Sequence, residues 1–224
     1  SIKQLIGLTL SPINKAILVN SYGRSGSTML TKSIITSLVN FNLNLFNNLM
    51  LKSLYQQAWD IEQTRFRPGF IYKSHDYPPQ NQINTNCSVI YIFADPVKVV
   101  ISLIKIFEEL ESDKWMREHF EHLKSEYVED FYSIIDCDTL NLESHFENWI
   151  NEDRLPVAFV QYEKLWENQD KLGAFLGMPL QLPPYRERKA QHDPDHDIIA
   201  RLENTYSRLK EKVYSCKDFF TINC

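Results

Sequence analysis

One stretch near the start of the chain, Ala16 to Leu30, constrains the fold more than any other. Its first part, Ala16 to Val19, is a short apolar run typical of a buried strand, and a loop containing two glycines follows over Ser21 to Ser27. Apolar residues at helical spacing then predict a helix that ends near Asn40. A strand, a tight loop and a helix in this order direct several backbone N–H groups and the positive end of a helix dipole at one point. The stretch therefore predicts an anion site.

The side chains of this loop also favour an anion. Gly23 and Gly26 let the backbone turn and approach a ligand closely, and Arg24 can form forked hydrogen bonds to phosphate or sulfate oxygens. The loop also carries three hydroxyl donors: Ser25, Ser27 and Thr28. The alternative is a capped helix after a strand, with Ser25 or Ser27 as the cap. An arginine between two glycines is an unusual choice for capping alone, which favours the anion site.

The loop departs from the Walker A motif of nucleoside triphosphatases. That motif needs a glycine five residues before Gly26 and a lysine directly after it, and this chain has Ser21 and Ser27 at those places. The sequence therefore lacks the main feature that would predict ordinary ATP or GTP hydrolysis. The stretch Tyr22 to Thr28 instead resembles the 5′-phosphosulfate loop of sulfotransferases, which use 3′-phosphoadenosine 5′-phosphosulfate (PAPS) as the sulfuryl donor.

A second strand follows the Pro68-Gly69 break and runs from Phe70 into a loop that ends at Pro79. Because the carboxyl ends of parallel strands face the ligand crevice of an α/β protein, we expect Lys73 and His75 near the first loop. A histidine is suited to remove a proton from a hydroxyl at neutral pH, and a lysine can stabilise charge on a transferred group. Lys73-Ser-His75 is similar to the Lys-Thr-His segment of cytosolic sulfotransferases. This resemblance implies that His75 is the catalytic base and that Lys73 contacts the sulfuryl group.

A third apolar strand, Ser88 to Phe93, leads into another helix and forms a second strand-to-helix junction. It resembles the 3′-phosphate segment of sulfotransferases, and Asp95 and Ser102 fit that segment in register, which implies that Ser102 binds the donor. Ala94 stands where the family has the arginine that binds the 3′-phosphate. An alanine cannot replace a charge-assisted bidentate contact, which is worth about 1.5–3 kcal/mol. Lys98 or a later basic loop is an alternative source of this charge.

The charged segment from Glu108 to Glu152 predicts two or three amphipathic helices with an aromatic inner face. It contains His119, His122 and His145, which raise the question of a metal site. His119 and His122 are three residues apart and lack the HExxH order. We therefore expect these histidines on the surface and no metal in the protein.

A fourth strand begins near Leu155, and the helix after it ends at Gly177. The segments Tyr162 to Leu165 and Phe175 to Gly177 resemble segments found in many sulfotransferases. The resemblance implies that Tyr162 lies near the adenosine of the donor; a core position beside the helix is compatible with that role.

A proline-led basic loop and a helix from about Asp195 to Val213 close the sequence. In sulfotransferases a late basic loop closes over the 3′-phosphate of the donor. The candidates for this role are Arg186, Arg188 and Lys189. An ordinary solvated loop is the alternative.

Length and composition limit what the chain can be. Its 224 residues, 43% of them hydrophobic, fit a single domain over 1–224, and its net charge of −5 argues against a nucleic-acid binder. No apolar run approaches the ~20 residues of a membrane span, and the four cysteines lack CxxC spacing. We therefore expect a soluble, cytoplasmic protein. The chain begins at Ser1 without a methionine, so the alternative that a leader or anchor has been removed stays open.

These patterns together predict an α/β protein, a three-layer sandwich with a mostly parallel central sheet. The resemblance covers about residues 16–177 in four ordered segments. It implies the P-loop NTPase-like sulfotransferase fold and sulfuryl transfer from PAPS to a hydroxyl or amine of a small-molecule or carbohydrate acceptor. Four aromatic residues are candidates for the acceptor site: Tyr55, Trp59, Phe66 and Tyr77. The alternatives are a P-loop phosphotransferase and a non-catalytic or altered-donor relative, of which Ala94 is the main support.

Overall fold

The computed structural model of this chain describes residues 13–42, 53–81, 86–110, 112–185 and 195–224. Its strands are β1 (Ala16–Asn20), β2 (Tyr55–Gln57), β3 (Ile71–Ser74), β4 (Cys87–Phe93), β5 (Val157–Gln161) and β6 (Phe219–Ile222). Its helices are α1 (Ser27–Asn42), α2 (Pro96–Leu110), α3 (Asp113–His122), α4 (Leu142–Ile150), α5 (Gln169–Leu176), α6 (His196–Thr205) and α7 (Ser207–Ser215). Short 3₁₀ helices cover Phe131–Ile135 and Tyr162–Lys164. Within these ranges, none of the helices has both the length and the apolar character that a membrane crossing requires.

The strands of the described residues form one six-stranded sheet in the order β2-β3-β1-β4-β5-β6. All neighbouring strands are parallel except β5 and β6, which are antiparallel. The α/β class and the mostly parallel central sheet that the sequence predicts are therefore confirmed.

The connections between strands run in opposite directions along this sheet. From β1 the chain passes through α1 to β2 and β3 on one side, whereas from β4 it passes through α2, α3 and α4 to β5 on the other. Parallel crossover connections are almost always right-handed, so the helices of connections that run in opposite directions lie on opposite faces. Helices on both faces of a central sheet make the three-layer arrangement.

Strands β1 and β4 form the centre of the sheet, and both are buried along their full length. Their almost continuous apolar sequences are what a parallel strand covered on both faces requires. Asn20 at the end of β1 pairs with Tyr91 of β4. This pairing brings both strand-to-helix junctions of the sequence to one edge of the sheet.

Aromatic side chains fill the space between β4 and α4. Tyr91, Phe146 and Trp149 are fully buried, and the Tyr91 ring lies 6.1 Å from Phe146 and 5.8 Å from Trp149. His145 is buried in the same cluster, and His119 of α3 is only 9% exposed. The expectation that these two histidines lie on the surface is therefore wrong. Each lies on the inner face of its helix among the aromatic residues, a placement that depends on how the helices pack.

Two strands and one helix break are not predicted by the sequence patterns. Strand β2 is three residues long and not apolar, and β6 pairs antiparallel at the edge of the sheet. The helix expected over Asp195–Val213 is divided at Tyr206 into α6 and α7. Tyr206 is buried, and its hydroxyl donates to the carbonyl oxygen of Ile134 at 2.9 Å. Hydrophobic periodicity does not report such a tertiary contact.

Phe159 links the antiparallel edge strand to the core. Its ring is fully buried, stacks on Phe220 of β6 at 4.6 Å and lies 5.5 Å from Tyr91. We expect Phe159→Ala to lower the free energy of unfolding by about 3–5 kcal/mol, because it leaves a cavity in the core. Phe220→Ala, at a partly buried position, should cost clearly less. Denaturant unfolding of both variants measures the difference, and equal losses would contradict this packing.

Candidate active site

The loop between β1 and α1, here called the anion loop (Tyr22–Thr28), has a left-handed backbone at three positions. The φ angles are +95° at Gly23, +47° at Arg24 and +88° at Gly26. A Cβ atom on Gly26 would lie 2.5 Å from ring carbons of Tyr162, which is closer than side chains tolerate. Glycine is therefore required at position 26 both for its backbone conformation and for the close approach of Tyr162.

The donors of the anion loop divide into two groups. The Ser25 hydroxyl donates to the carbonyl oxygen of Gly23 at 2.8 Å, and the Gly23 N–H donates to the Ser21 hydroxyl at 3.2 Å, so these groups brace the loop itself. The first hydrogen bond of α1 in the backbone runs from the Leu30 N–H to the Gly26 carbonyl at 3.0 Å. The N–H groups before Leu30 in the first turn have no acceptor within the helix, as at any helix start. They are the groups that an anion can engage.

A cavity of about 900 Å³ lies against this loop. Its lining combines residues of the anion loop, the end of β3 and α3. The lining residues used below are Arg24, Gly26, Ser27, Thr28, Lys73, His75, Trp59, Trp115, His119 and His122. Most of the residues expected from the first and second motifs of the sequence thus share one cavity, whereas Gly23 and Ser25 do not line it.

His75 is held in a single tautomer. Its Nδ1 lies 2.7 Å from the carbonyl oxygen of Ser21, an atom that can only accept, so Nδ1 carries the proton and donates it. Nε2 is therefore the unprotonated nitrogen, as a proton acceptor requires. Burial and the neighbouring charge of Lys73 lower the pKa of His75 well below its usual 6.5. His75 is thus neutral at physiological pH.

Three side chains hold the backbone of Asp76, the residue that follows His75. The carbonyl oxygen of Asp76 accepts hydrogen bonds from Asn20 Nδ2 at 2.9 Å, from Trp149 Nε1 at 2.9 Å and from His145 Nε2 at 3.1 Å. His145 Nε2 also lies 3.1 Å from the carbonyl oxygen of His75. These contacts fix the backbone that carries the His75 ring. Sequence patterns do not predict this network; the one signal that points toward it is the aromatic inner face expected for α4.

His145 is neutral at physiological pH, because burial lowers its pKa to about 4. Its Nε2 donates to carbonyl oxygens, so in the neutral ring Nδ1 is unprotonated and accepts from the Tyr91 hydroxyl at 2.9 Å. The carboxylate of Asp76 is also occupied, since it accepts from the N–H of Ile61 at 2.9 Å and pairs with Lys124 at 2.8 Å. His145 thus holds the backbone carbonyl groups of His75 and Asp76, and the Asp76 carboxylate ties this segment to Ile61 and Lys124.

Two cations face the cavity from different elements. Lys73, at the end of β3, is partly buried, and its pKa is lowered by burial and by the charge of Arg24. Arg24 is exposed, and its Nε donates to the hydroxyl of Ser102 on α2 at 3.0 Å. Arg24 therefore connects the anion loop to the second junction.

At the second junction the strand end is held by the first loop. The hydroxyl of Tyr22 accepts from the N–H of Ala94 at 3.0 Å and donates to its carbonyl oxygen. Asp95 caps α2, because its carboxylate accepts from the N–H of Val97 at 2.9 Å, and it also accepts from the Tyr214 hydroxyl at 2.8 Å. The carboxylate of Asp95 is thus already engaged, and Ala94 offers no side-chain donor.

Histidines and tryptophans form one wall of the cavity. His119 stacks on Trp115 with ring centres 5.2 Å apart, and His122 stacks on Trp59 at 3.8 Å. Burial lowers the pKa of His119 to about 3, and its Nε2 has no hydrogen-bond partner among the described residues. Of the aromatic candidates for the acceptor site, the lining takes in Trp59 and leaves out Tyr55, Phe66 and Tyr77.

The remaining candidates fall into two groups. Tyr162 packs against Gly26, beside the anion loop. The basic candidates Arg186, Arg188 and Lys189 lie outside the described residues. Across the part of the chain that the structure covers, no three His, Cys, Asp or Glu side chains are grouped to hold a metal ion.

A family model described as a sulfotransferase domain matches residues 14–193. Because this match takes in well over half of the sequence, the chain belongs to the sulfotransferase family, and the resemblance carried by its motifs is confirmed. The strand-loop-helix start and the mostly parallel sheet are the P-loop-like fold expected of this family. No curated protein sequence matches the chain.

Two solved structures are similar to the chain at low sequence identity. A mouse sulfotransferase complexed with 3′-phosphoadenosine 5′-phosphate (PAP) is 18% identical, with a TM-score of 0.42. The match covers 95% of this chain and 71% of that one. Retinol dehydratase in complex with androsterone and inactive cofactor PAP is 14% identical, with a TM-score of 0.37, and the match covers 92% and 66%. Both TM-scores are below 0.5, so the family assignment rests on the domain match.

The depressed pKa of His145 makes the stability of the protein depend on pH. The unfolded chain binds a proton here below about pH 6.5 and the folded one only near pH 4, so the contribution of His145 to stability is complete above 6.5 and is lost as the pH falls toward 4. We expect His145→Gln to be less stable than the wild type at pH 7, and the difference to shrink by about 2 kcal/mol at pH 4.5. Urea unfolding at both pH values measures it. A difference that stays constant would contradict a neutral buried His145.

Gly26 and Gly177 offer a matched pair of substitutions. Both have positive φ, but a Cβ at Gly177 would meet nothing within 4 Å, whereas one at Gly26 would overlap Tyr162. We expect Gly177→Ala to cost about 1–2 kcal/mol for backbone strain, and Gly26→Ala to cost about 1–3 kcal/mol more for the overlap. Chemical unfolding of the two variants provides the comparison. Equal costs would show that Tyr162 does not pack against the loop.

Proposed function

We propose that this protein is a PAPS-dependent sulfotransferase that transfers a sulfuryl group to a hydroxyl or amine of a small-molecule or carbohydrate acceptor. The observation that carries the proposal is that His75, with its tautomer fixed by Ser21, lines the same cavity as the anion loop. A proton acceptor beside an anion site is what sulfuryl transfer to a hydroxyl needs. Membership of the sulfotransferase family supports the same reaction.

The anion loop fits the phosphosulfate end of the donor. Its left-handed backbone and the first turn of α1 present N–H groups, the Thr28 hydroxyl is exposed, and Arg24 adds a positive charge. When bound, PAPS supplies an electrophilic sulfur atom and a phosphate leaving group. In the proposed site Arg24, Ser27 and Thr28 hold this end of the donor together with the backbone N–H groups of Ser25 and Gly26. Gly23 contributes by bracing the loop. Tyr162 lies beside the adenosine.

His75 is the proposed general base. Nε2 takes the proton of the acceptor hydroxyl or amine as the sulfuryl group is transferred, while Nδ1 keeps its hydrogen bond to the Ser21 carbonyl. The lowered pKa keeps the imidazole neutral before the reaction, so that Nε2 is available at physiological pH. The hydrogen bonds to the Asp76 carbonyl limit movement of the backbone that carries the ring.

The cations complete the proposed mechanism. Lys73 shares the cavity with His75 and stabilises negative charge on the transferring group, and Ser102 with Arg24 stabilises charge on the departing phosphate side. The acceptor occupies the part of the cavity beside Trp59 and Trp115, whose rings offer flat apolar faces. We propose that residues 1–224 act as one domain in this reaction.

The role of His75 is tested by His75→Ala, with His196→Ala as a matched histidine replacement at the start of α6. PAPS is supplied with a phenol, an alkyl alcohol, an amine and an oligosaccharide, and release of PAP is followed for the acceptor that the wild type accepts. We expect His75→Ala to lower the rate by about 10²–10⁴-fold, because the proton acceptor is lost. Its affinity for PAP should stay within about threefold of the wild type, because the anion loop is unchanged.

Retained turnover in His75→Ala would contradict the assignment of the base. A wild type that binds PAP and turns over no acceptor would favour the non-catalytic relative. A wild type that binds PAP no better than adenosine 5′-phosphate would instead favour a different donor, for which the alanine at position 94 is the sequence support.

A further inference from the structure

The second junction has an alanine at the position of the expected phosphate-binding arginine, and a carboxylate beside it. Ala94 is 4% exposed, and both its backbone polar groups are engaged by the Tyr22 hydroxyl. Asp95 carries its carboxylate next to it. Lys210 lies 3.8 Å from that carboxylate but pairs more closely with Glu203, at 2.6 Å. A phosphate at this junction therefore takes its positive charge either from the exposed Lys98 in the first turn of α2 or from another element.

Arg24 brings a guanidinium to this junction from the anion loop. Its backbone is left-handed, with φ of +47° between two glycines of positive φ, and its side chain is exposed. The Nε of Arg24 donates to the Ser102 hydroxyl at 3.0 Å, a bond that joins the loop after β1 to the helix α2 after β4. A guanidinium has five N–H donors, so the bond to Ser102 uses one of them and orients the planar group.

Arg24 also keeps its electrostatic contact with the first junction. Its charge is one of the causes that lower the pKa of Lys73 and that of His119, both of which line the cavity. One side chain is thus hydrogen-bonded to the second junction and coupled by charge to the groups around the first. A lysine at this position could supply a point charge but no fork.

We propose that Arg24 recognises the 3′-phosphate of the donor nucleotide and replaces the arginine that position 94 lacks, with Ser102 as the residue that positions its guanidinium. This inference rests on the proposed function, because it concerns the donor of that reaction. It makes Arg24 a specificity-determining residue, shared between the phosphosulfate at the anion loop and the 3′-phosphate at the second junction.

The test compares the affinity for PAP with that for adenosine 5′-phosphate, which lacks the 3′ group, by calorimetric titration. The wild type should prefer PAP. In Arg24→Lys we expect the preference for PAP over adenosine 5′-phosphate to fall about tenfold to a hundredfold, because the forked charge-assisted contact to the 3′-phosphate is lost. Any loss at the 5′-phosphate weakens both nucleotides alike and cancels in this ratio. Ser102→Ala should lower the same preference by about threefold to tenfold.

Arg201→Lys is the matched control, because Arg201 of α6 forms an exposed pair with Asp136 and lies outside the cavity lining. It should leave both affinities unchanged, and circular dichroism of each variant verifies folding. If Arg24→Lys keeps the preference for PAP, the inference is overturned and the proposed function stands. In that case Lys98→Ala and the joint alanine replacement of Arg186, Arg188 and Lys189 identify which other group carries the preference. A wild type without the preference overturns both.

Discussion

The parallel pairing of β1 with β4 is the constraint on which the rest of this site depends. Because the two strands are neighbours and both are fully buried, the loops that follow them leave the sheet at the same edge. The Tyr22 hydroxyl then ties the first loop to the backbone of Ala94. Burial raises the pKa of Tyr22, so its hydroxyl stays protonated and can donate one hydrogen bond while it accepts another. Two junctions far apart in sequence become one surface.

The proposed base, His75, is positioned by uncharged groups. Three side-chain donors converge on the Asp76 carbonyl, and the Ser21 carbonyl fixes the His75 ring. Buried neutral donors hold a backbone in place without the desolvation cost of a buried ion pair. The two cations proposed to stabilise charge in the reaction, Lys73 and Arg24, line the cavity itself. In the proposed mechanism, neutral dipoles in the core position His75, and cations at the cavity stabilise charge.

The sequence predicted the elements that local patterns encode. Local sequence is enough to predict the strands β1, β4 and β5 and the loop with two glycines. Burial on both faces restricts these strands to apolar residues, and the backbone conformation of the loop favours glycine. The motif residues Lys73 and His75 follow from their place at a strand end. The fold class and the family could therefore be predicted before the structure.

Other features depend on distances between segments and could not be predicted. His145 looks like a surface residue by type, and it is buried because α4 packs its aromatic face on Tyr91. The bond between Arg24 and Ser102 joins residues 78 positions apart, and no local pattern reports it. Strand β2 has three residues of no apolar periodicity and forms because β3 offers it a free edge.

A crystal structure of the protein with PAP bound tests the central claim, that the two junctions and His75 form a single donor and acceptor site. The account predicts the 5′-phosphate on the N–H groups of the anion loop, the 3′-phosphate within hydrogen-bond distance of Arg24 and Ser102, and His75 Nε2 facing the 5′-phosphate end. A nucleotide bound elsewhere, or bound with its 3′-phosphate away from the second junction, would contradict it.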